Sequence, residues 1–453
     1  MNKKVLLGLF IASATQMYAG GISENTNQSI NFLRNPSRDA SIGIDGVYSN
    51  PAGVMFLDKG WHVQFNWMAV RQQRNTLSGY EFPNYGQILP HNATNPTTED
   101  TDYRRLYKGD VRVPIQPSLY LVHNSDAWSI QLGFGFIGGG GGCEFKNGLG
   151  SLESLAALSG ISTLAQNGMA MKEYSLDTYM KGTSYDMGLT LGVAHRFSDR
   201  LSGYVGARAI ILMNSYKGHL KDISFTATNG FAAQGSDFLL DCDQRAFGIA
   251  PIVGVDFMPN EHWNIAAKYE FRTPLTATTT ARNNEAFDQL AGSSPSFAGY
   301  IDDAETRQDL PGYMSIGVQY SPTPSVRVSG GYHRYFDTAT RQYDGKTVDD
   351  TNEMTLGVEY DINRTVEVSC GMQKTWYHVD DSFQSDASFI LNSYSIGGGV
   401  GINVSKKVRL NIAYFQTMYN SKDIVSTDAR GVTGSTEYRR TNKVLGVGID
   451  YNL

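Results

Sequence analysis

Few residues of this chain have the type and spacing that catalysis or metal binding requires. Residues 133–138 read Gly-Phe-Gly-Phe-Ile-Gly, but they end an alternating strand pattern without a βαβ unit, so we do not expect a dinucleotide site. The sequence has no GxSxG or other nucleophile signature, and its eight histidines are scattered without metal-ligand spacing. We therefore predict that the protein is not an enzyme and holds no metal and no cofactor.

Acidic pairs and cysteines are the remaining candidates for chemistry. Three aspartate pairs fall in predicted loops, where they could bind Ca²⁺ or Mg²⁺, although solvated charge is the favoured interpretation. These pairs are Asp302 with Asp303, Asp349 with Asp350, and Asp380 with Asp381. Cys143 and Cys242 could form a disulfide, and the sequence leaves this open. Cys370 lies among alternating apolar residues and is interpreted as an inert thiol on an apolar face.

The composition indicates a β-rich chain. Of its 453 residues 41% are hydrophobic and 18% are charged, whereas soluble domains carry about 25% charged residues. The 48 glycines and 26 tyrosines favour strands with aromatic belts over a helical bundle. The net charge of −6 argues against a nucleic-acid-binding protein, and three cysteines exclude a disulfide scaffold.

Residues 1–19 have the form of a secretory signal peptide. Residues 2–4 are a short basic stretch, residues 5–14 are apolar, and Ala19 is the candidate cleavage residue. A membrane anchor is the alternative, but the apolar stretch is too short to span a bilayer. No later stretch reaches about 18 uncharged apolar residues, as a transmembrane helix would. The choice is between a soluble exported protein and an outer-membrane barrel.

Hydrophobicity alternates with a period of two over most of the chain beyond residue 60. In the first such segment Trp61, Phe65 and Trp67 alternate with His62 and Gln64. Many segments reach the roughly 9–11 residues of a membrane strand. Their second face carries Gly, Ser, Gln and Asn, which suit the lumen of a barrel. This pattern favours the outer-membrane barrel.

Short and long connections alternate between these segments, which is typical of outer-membrane barrels. Counting the segments predicts fourteen strands, an even number that brings both ends of the wall to one side. We therefore predict an all-β fold, a closed antiparallel transmembrane barrel over residues 61–453 with long extracellular loops. The predicted strands are 61–76, 111–123, 128–137, 180–197, 201–214, 244–258, 263–276, 310–320, 325–336, 352–360, 365–376, 393–404, 408–418 and 440–453.

Residues 20–60 do not alternate and are too long for a simple tail. We interpret them as a hatch inside the lumen, and a disordered periplasmic extension is the alternative. Pro51 restricts Asn50 to extended conformations, the Asn50 amide can hydrogen-bond the wall or its own turn, and Gly53 permits a close backbone approach. Four apolar residues of the hatch could line a ligand pocket or pack the hatch: Ile22, Ile30, Phe32 and Leu33.

The sequence Asn50-Pro51-Ala52-Gly53, placed just before the first predicted strand, resembles the hatch motif of the FadL/TodX family. These proteins are outer-membrane transporters of long-chain fatty acids and other hydrophobic compounds. Shorter stretches also resemble the family, so the resemblance covers most of the chain. They are residues 114–135, 195–207, 265–275 and 309–320. The resemblance implies a monomeric barrel in a Gram-negative outer membrane, with a hatch, a hydrophobic pocket and a lateral opening at a kinked third strand.

Two segments could take part in the transport that the family resemblance implies. A glycine run after the third predicted strand could interrupt its ladder and open the wall sideways, and a flexible surface loop is the alternative. This run is Gly138, Gly139, Gly140, Gly141 and Gly142. Residues 149–171 have a helical composition in a long outer loop, where a helix could capture a hydrophobic ligand or simply pack against other loops.

We therefore predict passive uptake of hydrophobic molecules such as fatty acids or aromatic hydrocarbons, with outer-membrane lipid as a further partner. Arg104, Arg105, Arg439 and Arg440 could meet lipopolysaccharide phosphates or remain exposed charges. The alternative function is a structural or adhesive barrel that acts through its extracellular loops. That alternative predicts a hatch without an apolar pocket.

Overall fold

The computed structural model describes residues 22–25, 27–87, 100, 104–293, 297–343, 347–428 and 431–453. The predicted signal peptide, residues 1–19, lies outside the described residues. Within the described ranges, no helix is both long enough and apolar enough to cross a membrane.

The described strands form one closed antiparallel sheet. In chain order they are β1 Gly60–Phe82, β2 Gly86–Gln87, β3 Arg105–Asn124, β4 Trp128–Phe145, β5 Met171–Ser198, β6 Leu201–Ala227, β7 Ala232–Gln234, β8 Phe238–Asn260, β9 Trp263–Glu270, β10 Thr276–Ala281, β11 Glu305–Arg307, β12 Gly312–Thr323, β13 Val326–Phe336, β14 Thr351–Asp361, β15 Val366–Trp376, β16 Ser393–Asn403, β17 Val408–Tyr419, β18 Lys422–Thr427 and β19 Thr433–Asn452. Pairing of β1 with β19 closes the barrel. The other segments that form the wall, each paired with the next, are β3, β4, β5, β6, β8, β9, β12, β13, β14, β15, β16 and β17. The predicted fourteen-stranded barrel is confirmed.

Helices are short and lie inside the barrel or at one end of it. They are α1 Ile30–Arg34, α2 Gly150–Ala165 and α3 Glu285–Ser293, with 3-10 turns at Ile44–Val47, Gly53–Phe56, Ala298–Tyr300, Asp337–Ala339 and Asp381–Phe383. We call the end of the barrel with the tight turns the short-turn end, and the end that carries α2 and α3 the long-loop end.

The wall turns its apolar face outward. On β1 the side chains of Trp61, Phe65 and Trp67 are nearly half exposed, whereas His62 and Gln64 are buried. Because adjacent strand residues point to opposite faces, the same alternation recurs around the barrel and forms an apolar belt. A polar lumen and an apolar exterior are what a membrane-spanning barrel requires.

Several predicted strand bounds were wrong at the long-loop end. The strands β5 and β6 run well beyond the predicted 180–197 and 201–214, because they remain paired above the belt, where both faces can be polar and periodicity fades. The strand β4 continues to Phe145 instead of ending at 137. The predicted strand 263–276 ends at Glu270, and Pro274, which has no N–H to donate, lies in the break before β10.

Residues 27–58 lie inside the barrel, and most of them are buried against the wall. The helix α1 packs on β16 and β17, and the turn Ile44–Val47 packs on β3. The largest apolar cluster begins at Ile30 and Leu33 and continues along inward residues of the wall toward α2 and α3. The lumen is therefore filled from the short-turn end upward.

Candidate functional site

The Asn50-Pro51-Ala52-Gly53 turn is attached to three strands of the wall. Asn50 Nδ2 donates to Asp256 Oδ2 of β8 at 2.5 Å, and its Oδ1 accepts from Gly53 N at 3.1 Å. The Pro51 carbonyl accepts from Gln131 of β4 at 2.7 Å, and the Ala52 carbonyl accepts from Ser202 of β6 at 2.8 Å. A Cβ on Gly53 would lie 2.2 Å from Asn50 Nδ2. Only glycine fits this turn without a shift.

Two arginines of α1 and the following turn hold the hatch to the opposite side of the wall. Arg34 pairs with Glu367 and donates to Asn411 Oδ1 at 2.6 Å. Arg38 bridges Asp45 of the hatch at 2.8 Å and Glu359 of β14 at 2.6 Å. Both guanidinium groups are buried, so each needs these carboxylates to offset its lost hydration.

A polar cavity of about 820 Å³ lies between this part of the hatch and the short-turn end of the wall. Its lining includes Arg38, Arg327, Glu359, Glu367 and Arg409, so charges of both signs face the space. Arg327 and Arg409 also pair with the same wall carboxylates. This cavity suits water and not a hydrophobic ligand.

The ladder between β3 and β4 is interrupted. Pairing runs from Asn124–Ser129 to Leu119–Phe134, then stops, and resumes only at Val111–Cys143. Residues 112–118 of β3, which include two prolines, therefore have no partner on residues 135–142 of β4, and the structure describes both stretches. The strand β4 keeps its pairing with β5 through two bulges. The glycine run is therefore still part of the wall, because it pairs with β5 although it does not pair with β3.

The conformation of the run depends on glycine. Gly139 and Gly140 have φ values of 60° and 116°, which L side chains rarely adopt. A Cβ on Gly139 would also lie 2.4 Å from the Ser184 carbonyl oxygen of β5. The backbone here bends in a way that a strand of ordinary residues would resist.

The start of the hatch fills this gap from inside. Asn25 N donates to the Ile137 carbonyl at 2.6 Å, and Asn25 Nδ2 donates to the Gly139 carbonyl at 2.8 Å. Gln28 Oε1 accepts from Phe136 N at 2.9 Å, and its carbonyl accepts from Ser118 Oγ. Backbone groups that lost their strand partner are therefore satisfied by hatch residues, as a buried position requires. Sequence reasoning missed these two residues because nothing in their local pattern marks a contact with β4.

An apolar cavity of about 250 Å³ lies at the long-loop end. Its lining comes from α2, α3, the strands β5, β6 and β8, and loop residues beside them: Leu152, Leu155, Ala156, Ser159, Met180, Gly218, His219, Leu220, Ile223, Phe225, Gly235, Ser236, Phe238, Leu240, Phe287, Leu290 and Phe297. Met180, Leu240 and Phe287 also belong to the largest buried cluster, so the apolar surface continues into the lumen. The helix α2, within the predicted range 149–171, forms one side of the cavity.

The four predicted ligand-contacting residues pack closely. Ile30 and Leu33 are fully buried against β16 and β19, where a Cβ on Gly446 would lie 2.3 Å from Ile30 Cδ1. The ring of Phe32 lies 5.7 Å from that of Phe415 at a tilt of 40°, and Phe32 borders a cavity of only about 10 Å³. Ile22 joins a separate small cluster of loop residues at the long-loop end. None of the four lines the 250 Å³ cavity.

The other candidate residues from the sequence lie in loops or in the lumen, where their contacts are structural. Five of the six aspartates cap turns or pair with nearby groups through their side chains, as Asp350 does with Arg334 at 2.9 Å and Asp302 with Ala281 N. In the part of the chain that the structure describes, no three His, Cys, Asp or Glu residues could hold a metal ion together. Cys143 and Cys242 are buried free thiols, and Cys370 is exposed.

Arg104, Arg105, Arg439 and Arg440 were all expected to be exposed, and this was wrong for one arginine of each adjacent pair. Arg105 and Arg440 are buried in the barrel, because strand alternation turns them inward and their neighbours outward. Arg105 donates to Glu153 of α2 at 2.8 Å, and Tyr107 donates to the same carboxylate. Burial raises the pKa of Glu153 to about 7, although the charge of Arg105 and the hydrogen bonds from Arg105 and Tyr107 lower that pKa.

The fold is that of known channels for hydrophobic compounds. A FadL homologue from Pseudomonas aeruginosa superposes with a TM-score of 0.65 at 13% identity, covering 97% of this chain and all of that one. The Pseudomonas putida toluene transporter TodX gives 0.55 at 13% identity, with 96% and 100% covered. The Ralstonia pickettii toluene transporter TbuX gives 0.52 at 14% identity, with 94% and 99% covered. No protein-family model and no curated protein matches the sequence.

The fold and the site together define a class, a membrane-spanning β-barrel with an N-terminal segment bonded to the wall inside its lumen. The resemblance to the FadL/TodX family is confirmed as a shared fold. Sequence identities of 13–14% establish a shared fold and nothing more, so the ligand class must be inferred from the residues of this chain.

Proposed function

We propose that this protein is an outer-membrane channel that takes hydrophobic molecules inward by passive diffusion. The apolar belt supports a position in a membrane, and the signal-like N-terminus supports export to the outer one. The hatch is bonded to the wall on several sides, which argues against an open water-filled porin.

The observation that carries the proposal is the apolar cavity between α2, α3 and the wall. A cavity lined by leucine, isoleucine, methionine and phenylalanine favours ligands that water solvates poorly, at roughly 25 cal/mol per Å² of buried apolar surface. It opens at the long-loop end and continues into the largest buried cluster, so a ligand captured there meets apolar side chains on its way into the lumen.

The interrupted ladder between β3 and β4 supplies an exit. Asn25 and Gln28 close it with hydrogen bonds to the backbone of β4, and these bonds are the contacts that a movement of the hatch would break. A molecule that leaves sideways enters lipid, which a fatty-acid chain prefers to water by about 0.8 kcal/mol per CH₂. The concentration gradient and the partition into lipid then provide the driving force, and no energy-coupling motif is needed.

The proposal is tested by binding of an apolar fluorescent dye, N-phenyl-1-naphthylamine, to the protein in lipid nanodiscs. Ala156 lines the cavity, so the indole of Ala156→Trp fills much of it. Ala165→Trp adds the same group to an exposed position of the same helix and serves as the control. We expect saturable dye binding by the wild type and by Ala165→Trp, and loss of that binding in Ala156→Trp.

Folding is checked by the slower migration of unfolded barrels on gels when samples are boiled. If folded wild type shows no saturable binding of the dye or of palmitate, the proposed function is wrong. The structural or adhesive function would then be the better interpretation of this barrel.

A further inference from the structure

Three positive side chains form a row on the outer surface of the wall. Arg71 of β1 is the direct partner of Lys443 of β19 on one side and of Arg112 of β3 on the other. All three are exposed, whereas their chain neighbours Val70 and Val444 are buried, so the three charges point away from the lumen. Neighbouring strands lie about 4.8 Å apart, which places the three charges within roughly 10 Å of one another. Like charges directly opposite each other destabilise a strand pair, so this row needs a counter-charge.

The chain itself does not supply that counter-charge. Within the part of the chain that the structure describes, none of the three cations forms an ion pair. Asp110, two residues from Arg112, is an outward carboxylate near the row, and it accepts from Gln73 Nε2 at 3.5 Å. Lys108 is exposed two residues further along β3 and adds a fourth positive charge. The surface around the row therefore stays positive.

Other arginines on the outside of the wall do have carboxylate partners. Arg334 of β13 pairs with Asp350 at 2.9 Å. Arg439, which the sequence analysis considered for contact with lipopolysaccharide, pairs with Glu437 at 2.6 Å. The lack of a partner is therefore a property of the row and not of outward arginines in general.

The row lies at the edge of the apolar belt that is nearer the long-loop end. On β1 the belt extends along the outward residues of 61–69, and Arg71 is the next outward position. Nine residues of a tilted strand cover roughly 20–25 Å, close to the height of the apolar band of outer-membrane barrels. The outward apolar residues next to the row on the three strands are Ala69, Ile115 and Leu445.

This height is that of lipid phosphates. Long loops of outer-membrane barrels face the cell exterior, so the row meets the outer leaflet. That leaflet is built of lipopolysaccharide, whose lipid A part carries phosphates on a disaccharide directly above its acyl chains. Arginine binds phosphate through paired hydrogen bonds and lysine binds it as a point charge.

We propose that Arg71, Arg112 and Lys443 form a binding site for the phosphorylated disaccharide of lipid A, with its acyl chains against the belt below the row. The apolar surface directly beneath the charges favours a phosphate that carries acyl chains over a free phosphate ion. The site is on the outside of the wall and does not rest on the proposed function of the lumen.

The test is a titration of the full-length protein in detergent with lipid A, followed by native mass spectrometry. Monophosphoryl lipid A, which keeps the acyl chains and loses one phosphate, is the matched ligand, and wild type should bind it about tenfold more weakly. We define the row variant as the combination of Arg71→Gln, Arg112→Gln and Lys443→Gln. It should bind lipid A with about a hundredfold lower affinity than wild type, as expected for the loss of three interfacial cations.

A second variant controls for net charge. The combination of Arg200→Gln, Lys406→Gln and Lys407→Gln removes the same charge from exposed turns at the short-turn end and should bind lipid A as wild type does. Thermal unfolding in detergent adds an independent measurement. Lipid A should raise the unfolding midpoint of wild type and of this control, and should leave that of the row variant unchanged. Without lipid A the row variant should be at least as stable as wild type, because the repulsion between the cations is gone.

Three results would overturn the site: equal affinity of wild type for both forms of lipid A, equal loss of affinity in the row variant and the control, or displacement of lipid A by inorganic phosphate at the same concentration. If the row variant does not fold, Arg71→Gln alone is measured and should weaken binding about fivefold. Binding of the apolar dye should be unchanged in the row variant, so this inference and the proposed function fail separately.

Discussion

At the scale of single residues, the hatch is held by side chains that each satisfy a buried polar group of the wall. Asn50, Arg34 and Arg38 reach strands on different sides of the lumen. A hatch attached in this way has a defined position, because no single contact can be displaced without leaving a buried donor or carboxylate behind.

Replacing Asn50 by alanine is expected to loosen the hatch without unfolding the barrel. The change removes the donor to Asp256 and the acceptor for Gly53 N, so we expect a cost of about 1–3 kcal/mol. Amide hydrogen exchange of residues 44–57 should become faster in Asn50→Ala. Asn260→Ala, in an exposed turn, should leave the exchange unchanged, and equal protection in both variants would contradict the anchoring role.

Glu153 predicts a pH dependence at the long-loop end. Its pKa in the folded protein is raised to about 7 by burial, above the ordinary value of 4.5, so the folded state binds the proton more tightly. Its contribution to stability is therefore complete below pH 4.5 and is lost as the pH rises through 7. Exchange of the α2 amides, corrected for intrinsic rates, should show less protection at pH 8 than at pH 5.

The glutamine variant Glu153→Gln removes this titration. Protection of α2 in that variant should not change between pH 5 and pH 8. A variant that keeps the wild-type pH dependence would show that another group is responsible.

At the scale of elements, β4 combines a continuous strand with a broken ladder. The run of five glycines is visible without a structure, and the sequence predicted that it could interrupt the ladder to a neighbouring strand. The structure differs in the strand itself, which continues to Phe145 instead of ending at 137, while the ladder with β3 is interrupted. The bend also depends on Ser184 of β5 and on Asn25 of the hatch, which are distant in sequence.

Substitution of Gly139 by alanine is expected to destabilise the barrel locally. The new Cβ meets the Ser184 carbonyl at a distance that real Cβ atoms do not adopt, and the φ of 60° adds backbone strain of about 1–3 kcal/mol. The urea midpoint of unfolding in detergent should fall. Gly330→Ala in β13, where the Cβ would meet Leu356 at 3.6 Å and the Thr355 carbonyl oxygen at 3.9 Å in ordinary van der Waals contact, should change the midpoint little. Equal midpoints would refute the strained bend.

At the scale of the whole molecule, the apolar belt determines where the barrel resides. Leu191 of β5 is 58% exposed within the belt, so Leu191→Arg places a charge in lipid and should cost about 2–4 kcal/mol near the bilayer midplane. Val425→Arg, on the exposed segment β18 at the long-loop end, should cost much less. Urea titrations in lipid vesicles measure both, and equal costs would contradict the assigned membrane position.

Much of the fold could be predicted from the sequence, because the alternation of residues such as Trp61 and His62 is dictated by lipid on one face and the lumen on the other. The long-loop cavity could not, since Leu155, Met180 and Phe287 come from elements that only the closed barrel brings together. The inward position of Arg440 was equally hidden, because Arg440 directly follows Arg439 in the chain and only their alternation along β19 of the closed barrel places one inside and the other outside.

The central claim is that this barrel conducts hydrophobic molecules through its long-loop cavity. The most direct measurement is the uptake rate of radiolabelled palmitate and toluene by Gram-negative cells that lack related channels and express either wild type or Ala156→Trp. We predict saturable uptake with wild type and a rate at the level of cells without the protein with Ala156→Trp. Equal rates in cells with and without the wild-type protein, present and folded in the outer membrane, would contradict the account.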